Sequence, residues 1–229
     1  MKPLCEAWPH AVIFDMDGLM YATEQQIRRA WDEVGPSVAG EPLGHNIYHT
    51  MGMNRALRVR YFRDTYGPDF PYEKFETAYK SLVSRMKKTE GIPVQKGLFE
   101  LLAWLSEERI PCMLATGSSS FHTWENLAVT HTPNIFCHVI CGDMVEAAKP
   151  DPYIYTLSCR MLGMRPEEVL VLEDSVNGVL AAYAAHTPVI MVPDLQKGQT
   201  DEVKGMPLAV MDSLLEVRDY LRSGYLRTE

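Results

Sequence analysis

Four short apolar segments, each followed at once by a polar or turn-forming residue, recur along this chain of 229 residues. Strands that are apolar at every position are buried on both faces. Helical patterns separate the segments, such as the leucine-rich stretch at residues 97–109 and the small-residue stretch at 175–185. The pattern predicts an α/β fold, a doubly wound parallel sheet covered by helices on both faces. The four predicted strands are AVIF from Ala11, CMLA from Cys112, VLVL from Val169 and VIMV from Val189.

The interval between the first strand and the helix at 97–109 departs from this alternation. It holds about eighty residues with helical patterns at 23–34, 55–66 and 72–88 and no convincing buried strand. Crossover connections are normally far shorter. We therefore expect residues 21–91 to form a helical cap domain inserted into a core domain of residues 1–20 and 92–229. Thr23 and Gln26 have the spacing of a capping box at the start of the first cap helix. We expect the basic residues of the cap to lie mostly on solvated helix faces: Arg28, Arg29, Arg58, Arg60, Arg63, Lys87 and Lys88.

The charge balance and the apolar runs exclude two classes of partner. The chain carries 22 Lys and Arg residues against 30 Asp and Glu residues, a formal net charge of −8. Nucleic-acid binding needs a broad basic surface, so we expect no nucleic-acid partner. The longest apolar run, residues 179–185, is far shorter than the roughly 20 residues of a membrane span. The N-terminal segment also lacks the apolar stretch of a secretory signal. We expect a cytoplasmic protein without a membrane partner, and a monomer by default.

The cysteines are odd in number and scattered: Cys5, Cys112, Cys137, Cys141 and Cys159. Cys137 and Cys141 could form half of a metal site. No second pair of Cys or His residues has the spacing of a zinc site, however. The pattern favours buried, reduced thiols in a cytoplasmic protein.

Acidic residues follow two of the predicted strands. Asp15 and Asp17 come after the first strand, and Glu173 and Asp174 come after the third. Ligands of a doubly wound sheet bind beyond the carboxyl ends of its strands, so we expect these four groups to converge. Converging carboxylates repel one another and raise some of their pKa values unless a cation is present. A hard, oxygen-seeking ion such as Mg²⁺ suits this set.

Two further segments each allow a structural and a functional interpretation. Thr116 and Gly117 open a Ser-rich segment after the second strand. Such a segment either caps a helix with its hydroxyl groups or binds a phosphate through its backbone N–H groups. Lys149 is either an ordinary exposed lysine at a helix entry or a cation of the site. The order of these segments and their placement at strand ends favour the functional interpretation.

Together the segments resemble the motifs of the haloacid dehalogenase superfamily, in its subfamily with a helical cap after the first strand. The resemblance covers nearly the whole chain. It implies a Rossmann-like core with an inserted cap, and phosphoryl transfer as the reaction. The motifs read FDMDG from Phe14, LATGSSS from Leu114, AAKPDPYIY around Lys149, and LEDSVNGVLAA from Leu172.

The resemblance also implies catalytic roles. Asp15 is expected to be the nucleophile that forms an aspartyl-phosphate, and Asp17 the general acid and base. Thr116 and Gly117 are expected to hold phosphoryl oxygens through a side-chain hydroxyl and backbone N–H groups. Lys149 is expected to help neutralise the phosphoryl charge.

The implied metal site holds Mg²⁺ between Asp15, Asp174 and the main-chain carbonyl of Asp17. Glu173 is expected beside the metal, directly or through water. A carboxylate at position 17 also separates this chain from the dehalogenases and phosphonate hydrolases of the superfamily, which lack one there. The subfamily usually has an aspartate where this chain has Ala22, a difference in the segment that leads into the cap.

The leading functional hypothesis is a Mg²⁺-dependent phosphatase acting on a small phosphorylated metabolite, a sugar phosphate. The main alternative is a β-phosphoglucomutase-like enzyme. Arg55 ends a Gly-x-x-Arg segment like the one that grips a second phosphate in the mutase, and Trp31 also matches. Ile27, however, stands where the mutase has a histidine, which favours the phosphatase. Arg55 is then either a grip on a polar or phosphorylated substrate or a solvated cap residue. A third hypothesis, a non-catalytic binding module, conflicts with the presence of all the reacting groups.

Overall fold

The protein is described by a computed structural model that covers residues 8–51, 53, 55–195 and 197–226. The strands of the described chain are β1 (Ala11–Phe14), β2 (Cys112–Ala115), β3 (Phe136–Ile140), β4 (Val169–Glu173), β5 (Val189–Met191) and β6 (Ala209–Val210). The helices before β2 are α1 (Thr23–Val34), α2 (Pro36–Ala39), α3 (Ile47–Thr50), α4 (Arg55–Tyr66), α5 (Tyr72–Glu90) and α6 (Leu98–Glu107). Those after β2 are α7 (Ser120–Val129), α8 (Tyr153–Leu162), α9 (Val176–Ala184) and α10 (Leu214–Leu226).

The six strands form one parallel sheet in the order β3-β2-β1-β4-β5-β6. Val12 of β1 is in register with Cys112 of β2 on one side and with Leu170 of β4 on the other. The strand order reverses at β1, so β1 marks the switch point of the sheet. Ligands of doubly wound sheets bind beyond the carboxyl end of the strands at this point.

The side chains of β1 alternate between two hydrophobic clusters, one on each face of the sheet. Val12 and Phe14 pack in the cluster that includes α6 and α10, whereas Ala11 and Ile13 pack in the cluster that includes α8 and α9. Burying a large aliphatic or aromatic side chain contributes about 1.5–3 kcal/mol. The alternation explains why this strand is apolar at every position.

Helices α1 to α5, called the cap helices below, surround a third hydrophobic cluster. At its centre the ring of Trp31 lies 5.3 Å from that of Phe62 and 5.6 Å from that of Phe75. The chain enters and leaves the cap helices at adjacent points. The amide of Ala22 donates to the carbonyl of Pro93 at 2.9 Å, and the amide of Gln95 donates to the carbonyl of Met20 at 2.9 Å.

Three details differ from the sequence-based expectations. β3 and β6 were not predicted, because His138 interrupts the apolar run of β3 and β6 is only two residues long. Cys137 on β3 is exposed, although Cys112, Cys141 and Cys159 are buried as predicted. Cys5 lies outside the described residues.

The predicted capping box at α1 is also absent. The Thr23 hydroxyl donates to Asp17 instead, and Gln26 donates to the carbonyl of Gly91. A tertiary partner has replaced the local one.

In the part of the chain that the structure describes, no helix combines the length and apolarity needed to cross a membrane.

Candidate active site

Asp15 and Asp17 lie in a tight turn directly after β1. The amide of Asp15 donates to the carbonyl of Leu172, which fixes the start of the turn against β4. Gly18 has φ +92°, a conformation that favours glycine. The turn therefore directs two carboxyl groups, two positions apart, beyond the carboxyl end of the sheet.

Lys149 bridges the turn and the end of β4. Its Nζ donates to Oδ1 of Asp15 at 2.5 Å, to Oε1 of Glu173 at 2.6 Å and to the carbonyl of Ala115 at 3.3 Å. The lysine is 2% exposed, so these contacts form away from solvent. Burial opposes the charged form, but Asp15 and Glu173 raise the pKa of Lys149 well above its ordinary value. Lys149 is therefore a buried cation at the site, not the exposed lysine of the alternative interpretation.

Both carboxylate oxygens of Glu173 already accept hydrogen bonds. Oε1 accepts from Lys149 and from the hydroxyl of Tyr155, the latter at 2.5 Å. Oε2 accepts from the amides of Asp174 and Ser175 and from the Ser175 hydroxyl. A Cβ on Gly178 would lie 1.9 Å from this carboxyl group, so the start of α9 leaves just enough room for it. Glu173 thus positions Lys149 and orders the turn into α9.

Asp174 is different, because its Oδ2 is buried and accepts no hydrogen bond from the described residues. Oxygen atoms of Asp15, Glu173 and Asp174 lie within 4.8 Å of one another. When all three carboxyl groups are ionised, they and the ammonium of Lys149 leave two negative charges, which is the charge that a divalent cation would neutralise. A buried oxygen without a donor, in a set of hard oxygen ligands, fits such a cation.

The pKa values of this cluster also indicate a surplus of negative charge. Burial, opposed by Lys149 and reinforced by Glu173, raises the pKa of Asp15 to about 7. Burial together with the charges of Glu173 and Asp15 raises the pKa of Asp174 well above its ordinary value. Without a cation, the cluster therefore retains protons that ordinary carboxyl groups would lose.

Asp17 is held by two hydroxyl groups from different parts of the fold. Thr23 of α1 donates to its Oδ1 at 2.6 Å, and Ser118 from the loop after β2 donates to its Oδ2 at 2.5 Å. The hydroxyl partners of Asp17 are therefore different from the partners of Asp15 and Glu173. Neither hydroxyl was predicted from the sequence to bind Asp17. The position of Thr23, six residues after Asp17 at the entry to the cap, was the signal available.

The structure brings six of the seven sequence-predicted site residues together. They line a chamber of about 70 Å³: Asp15, Asp17, Thr116, Gly117, Lys149 and Asp174. Thr116 is buried, and its hydroxyl accepts a hydrogen bond from the amide of Ser118 at 3.1 Å.

Arg55, the seventh residue, does not reach this chamber. It lines an adjoining cleft of about 430 Å³ between the cap helices and the sheet. Its Nε donates to Oε2 of Glu76 at 2.7 Å, and its side chain is 53% exposed. Gly52 and Asn54, which belong to the same mutase-like segment, lie outside the described residues. The cleft also receives Arg58 and Lys87, which were expected on solvated faces. They lie on sides of α4 and α5 that face the cleft.

Three hydrogen bonds join the cap region to the rest of the fold around the cleft. Gln25 donates to Asp194 at 2.8 Å, Lys87 to Asn126 at 2.7 Å, and Asn177 to the carbonyl of Met51 at 2.8 Å. These contacts hold the cap helices against the rest of the fold next to the chamber.

Known proteins are similar to this chain in sequence and in fold. A family model described as haloacid dehalogenase-like hydrolase matches residues 9–186. A phosphorylated carbohydrates phosphatase of Thermotoga maritima is 32% identical over 179 residues, which cover 76% of this chain and 81% of that protein.

Two solved structures align over most of the chain. A variant of CbbY from Rhodobacter sphaeroides in complex with xylulose-1,5-bisphosphate aligns with a TM-score of 0.75 and 26% identity, over 90% of this chain and 95% of that one. A putative β-phosphoglucomutase from Thermotoga maritima aligns with a TM-score of 0.72 and 28% identity, over 93% of this chain and 98% of that one.

The family match spans more than half of the chain, and the motif residues that carried the resemblance lie together at the carboxyl end of the sheet. This chain belongs to the haloacid dehalogenase-like hydrolases.

Proposed function

We propose that the protein is a Mg²⁺-dependent phosphatase that hydrolyses a small phosphorylated metabolite, a sugar phosphate, through an aspartyl-phosphate intermediate. One observation carries the proposal most strongly. A nucleophile candidate, Asp15, is bound to a buried lysine within an acidic cluster, while a second carboxyl group, Asp17, is held separately by hydroxyl groups. Such a division assigns phosphoryl capture and proton transfer to different groups. The phosphorylated carbohydrates phosphatase of Thermotoga maritima supports the substrate class.

The proposed metal ligands are Asp15, Asp174 and the main-chain carbonyl of Asp17. The buried Oδ2 of Asp174, which lacks a donor among the described residues, is the observation that favours this set. Mg²⁺ bound there would draw negative charge from the phosphoryl oxygens and bring them close to the nucleophile. Glu173 is better suited to act through Lys149, because both of its oxygens already accept hydrogen bonds.

In the first half-reaction, a carboxylate oxygen of Asp15 attacks phosphorus and the bond from phosphorus to the ester oxygen breaks. Asp17, as the carboxylic acid, gives its proton to the departing oxygen. Thr116, Gly117 and Lys149 stabilise the charge on the phosphoryl oxygens. The products of this step are the aspartyl-phosphate and the free alcohol.

In the second half-reaction, water attacks phosphorus while Asp17, now a carboxylate, takes its proton. The bond from phosphorus to Asp15 then breaks and inorganic phosphate leaves. Thr23 and Ser118 suit both states of Asp17, because a hydroxyl group donates to a carboxylate and accepts from a carboxylic acid.

We propose the domain division from the same features. Residues 21–91 form the cap domain, and residues 1–20 and 92–229 form the core. Two observations support these limits. The cap helices have a hydrophobic cluster of their own, and the two connections to them, near Ala22 and near Gln95, lie side by side.

A panel of about a hundred phosphorylated metabolites, assayed with and without Mg²⁺, tests the proposal. We expect phosphate release that requires Mg²⁺ and that is lost in Asp15→Asn. Absence of Mg²⁺-dependent release across the panel would leave a binding module as the better explanation.

A β-phosphoglucomutase-like activity is the second candidate, favoured by the alignment with a putative β-phosphoglucomutase. Against it, Ile27 lines both the chamber and the cleft and offers no hydrogen-bonding group. We therefore expect water to intercept the intermediate. β-Glucose 1-phosphate with a catalytic amount of the 1,6-bisphosphate separates the two, since glucose 6-phosphate and inorganic phosphate are measured in one reaction. Rapid formation of glucose 6-phosphate with little free phosphate would favour the mutase.

A further inference from the structure

Arg55 and Arg58 lie three residues apart on α4 and both line the cleft, but their surroundings differ. Arg55 is held by an ion pair to Glu76, lies 3.9 Å from Glu73 and stacks at 5.7 Å over the ring of Tyr72. These contacts satisfy its charge within the cap helices. The charge of Arg55 is therefore balanced without a bound ligand.

The guanidinium of Arg58 has no such partner. Its Nε is buried without a hydrogen-bond acceptor, and no carboxylate of the described residues lies within ion-pair distance of it. A buried polar group that lacks a partner costs free energy, most of all when it is charged. A bound molecule that offers acceptor oxygens would remove this cost.

Arg58 lies where the chamber opens into the cleft. Five residues line both spaces: Asp17, Ile27, Arg58, Gly117 and Ser118. Arg58 is the cation among them. A phosphate ester whose phosphorus lies in the chamber passes this junction with the atoms nearest to its ester bond.

The other cations of the cleft are matched by acids. Lys80 lies 2.9 Å from Glu76, and Lys87 lies 3.1 Å from Glu125. Together with the ion pair of Arg55, these contacts leave no second unpaired cation among the lining residues described above. A second phosphate on the substrate would find little positive charge in the cleft.

Two carboxyl groups, those of Asp17 and Glu24, line the same chamber as Arg58 without forming an ion pair with it. Glu24 lines the chamber, and its pKa is raised to about 8 by burial and by Asp17, an effect that Arg58 opposes. Arg58 supplies donors, and the carboxyl group of Glu24 keeps a carbonyl oxygen that accepts even when the group is protonated. Neighbouring donors and acceptors match hydroxyl groups, each of which donates and accepts.

We propose that Arg58 binds the hydroxyl groups next to the ester bond and makes the enzyme selective for monophosphate esters of polyols and sugars over bisphosphates. The proposal rests on the proposed phosphatase function. It assigns to Arg58 the substrate-binding role that the sequence assigned to Arg55.

The test compares glucitol 6-phosphate, which carries hydroxyl groups, with hexyl phosphate and p-nitrophenyl phosphate, which carry none on the chain or ring. In Arg58→Met we expect kcat/KM for glucitol 6-phosphate to fall by about 10- to 100-fold, the range for hydrogen bonds to a charged group. Values for the other two esters should change by less than about threefold. Arg58→Lys, which keeps the charge, should recover part of the loss.

Arg60→Met is the matched control, since Arg60 lies on the same helix with its side chain 80% exposed. The Arg60→Met variant should have the wild-type kcat/KM for all three esters. Thermal unfolding of each variant checks that the fold is kept, and Arg58→Gln replaces Arg58→Met should the latter fail to fold.

Two results would overturn the role of Arg58. One is an equal loss for all three esters in Arg58→Met, and the other is a larger selective loss in Arg55→Met. A wild-type kcat/KM for fructose 1,6-bisphosphate at least tenfold above that for fructose 6-phosphate would overturn the preference for monophosphates. Failure of the wild type to hydrolyse p-nitrophenyl phosphate with Mg²⁺ would instead count against the phosphatase function itself.

Discussion

A Cβ atom on Gly18 would lie 2.0 Å from Oδ2 of Asp174, the buried oxygen that accepts no hydrogen bond from the described residues. The turn after β1 and the carboxylate after β4 therefore fit together only without a side chain at position 18. The left-handed φ of +92° reinforces this requirement.

Gly18→Ala should displace the Asp174 carboxylate and weaken Mg²⁺ binding. We expect the Mg²⁺ concentration for half-maximal activity to rise at least about tenfold, and stability to fall by about 1–3 kcal/mol from backbone strain. Gly40→Ala is the matched control, because Gly40 also has a positive φ, +78°, but nothing within 4 Å of the added atom. It should lose stability without a change in Mg²⁺ dependence. An unaltered Mg²⁺ titration in Gly18→Ala would contradict the assignment of Asp174.

Asp15→Asn should abolish phosphate release, because an amide cannot accept the phosphoryl group. The protein should still fold, since the substitution removes one negative charge from a cluster that has a surplus. Phosphate release and thermal unfolding are measured on the same preparation. A purified variant with near wild-type turnover would show that another group is the nucleophile.

Asp17→Asn should slow turnover by a factor on the order of 10² to 10⁴, the usual contribution of a positioned acid and base. The loss should be smaller for an aryl phosphate than for an alkyl phosphate, since an aryl oxide needs less protonation to leave. Rates for both esters are measured in the variant and the wild type. Equal losses would argue against Asp17 as the general acid.

The metal-free protein should become less stable as the pH rises. Burial raises the pKa of Asp15 from 3.8 to about 7 and that of Glu24 from 4.5 to about 8. A raised pKa in the folded state means that stability is fully present below the unfolded value and is lost as the pH rises through the folded one. We expect Tm in EDTA to fall by several degrees between pH 5 and pH 8, since each kcal/mol shifts Tm by about 2–4 °C in a chain of this size.

Mg²⁺ should offset this loss, so the difference in Tm with and without the ion should widen with pH. Glu24→Gln should flatten part of the slope in EDTA. A Tm in EDTA that stays constant or rises from pH 5 to pH 8 would show that the cluster does not hold the surplus negative charge.

Lys87→Met should weaken closure of the cap helices, because Lys87 binds Asn126 and Glu125 across the cleft. We expect KM to rise by about three- to tenfold, as an ion pair and a hydrogen bond are lost. Lys88→Met is the control, since Lys88 is the exposed neighbour. Equal KM values for Lys87→Met and the wild type would show that this contact does not govern closure.

The residues of the chamber could be predicted because strand ends in a parallel sheet meet at one edge. Asp15, Thr116 and Asp174 each follow an apolar run, and that placement alone brings them together. The edge strands β3 and β6 could not be found in the same way. His138 interrupts the apolar run of β3, and β6 has only two residues, so neither strand gives the apolar signal that marked β1 and β4.

Arg58 was missed because α4 gives little indication of its orientation. Of the side chains of this helix, Phe62 alone is buried, so no apolar stripe shows which face points to the cleft. Thr23 was misread for a related reason. Its local pattern fits a helix cap, but Asp17 competes for the hydroxyl, and only the folded turn brings the two together.

The chain enters the cap helices near Ala22 and leaves them near Gln95, and this arrangement has an evolutionary consequence. Because the two connections to the cap helices lie side by side, the sequence of the insertion can change without altering the order of the strands. Under the proposed function, mutations in α4 and α5 would alter which alcohol is accepted, whereas the residues of the chamber would keep the same reaction. The preference for a substrate and the reaction itself would then be encoded by different stretches of the gene.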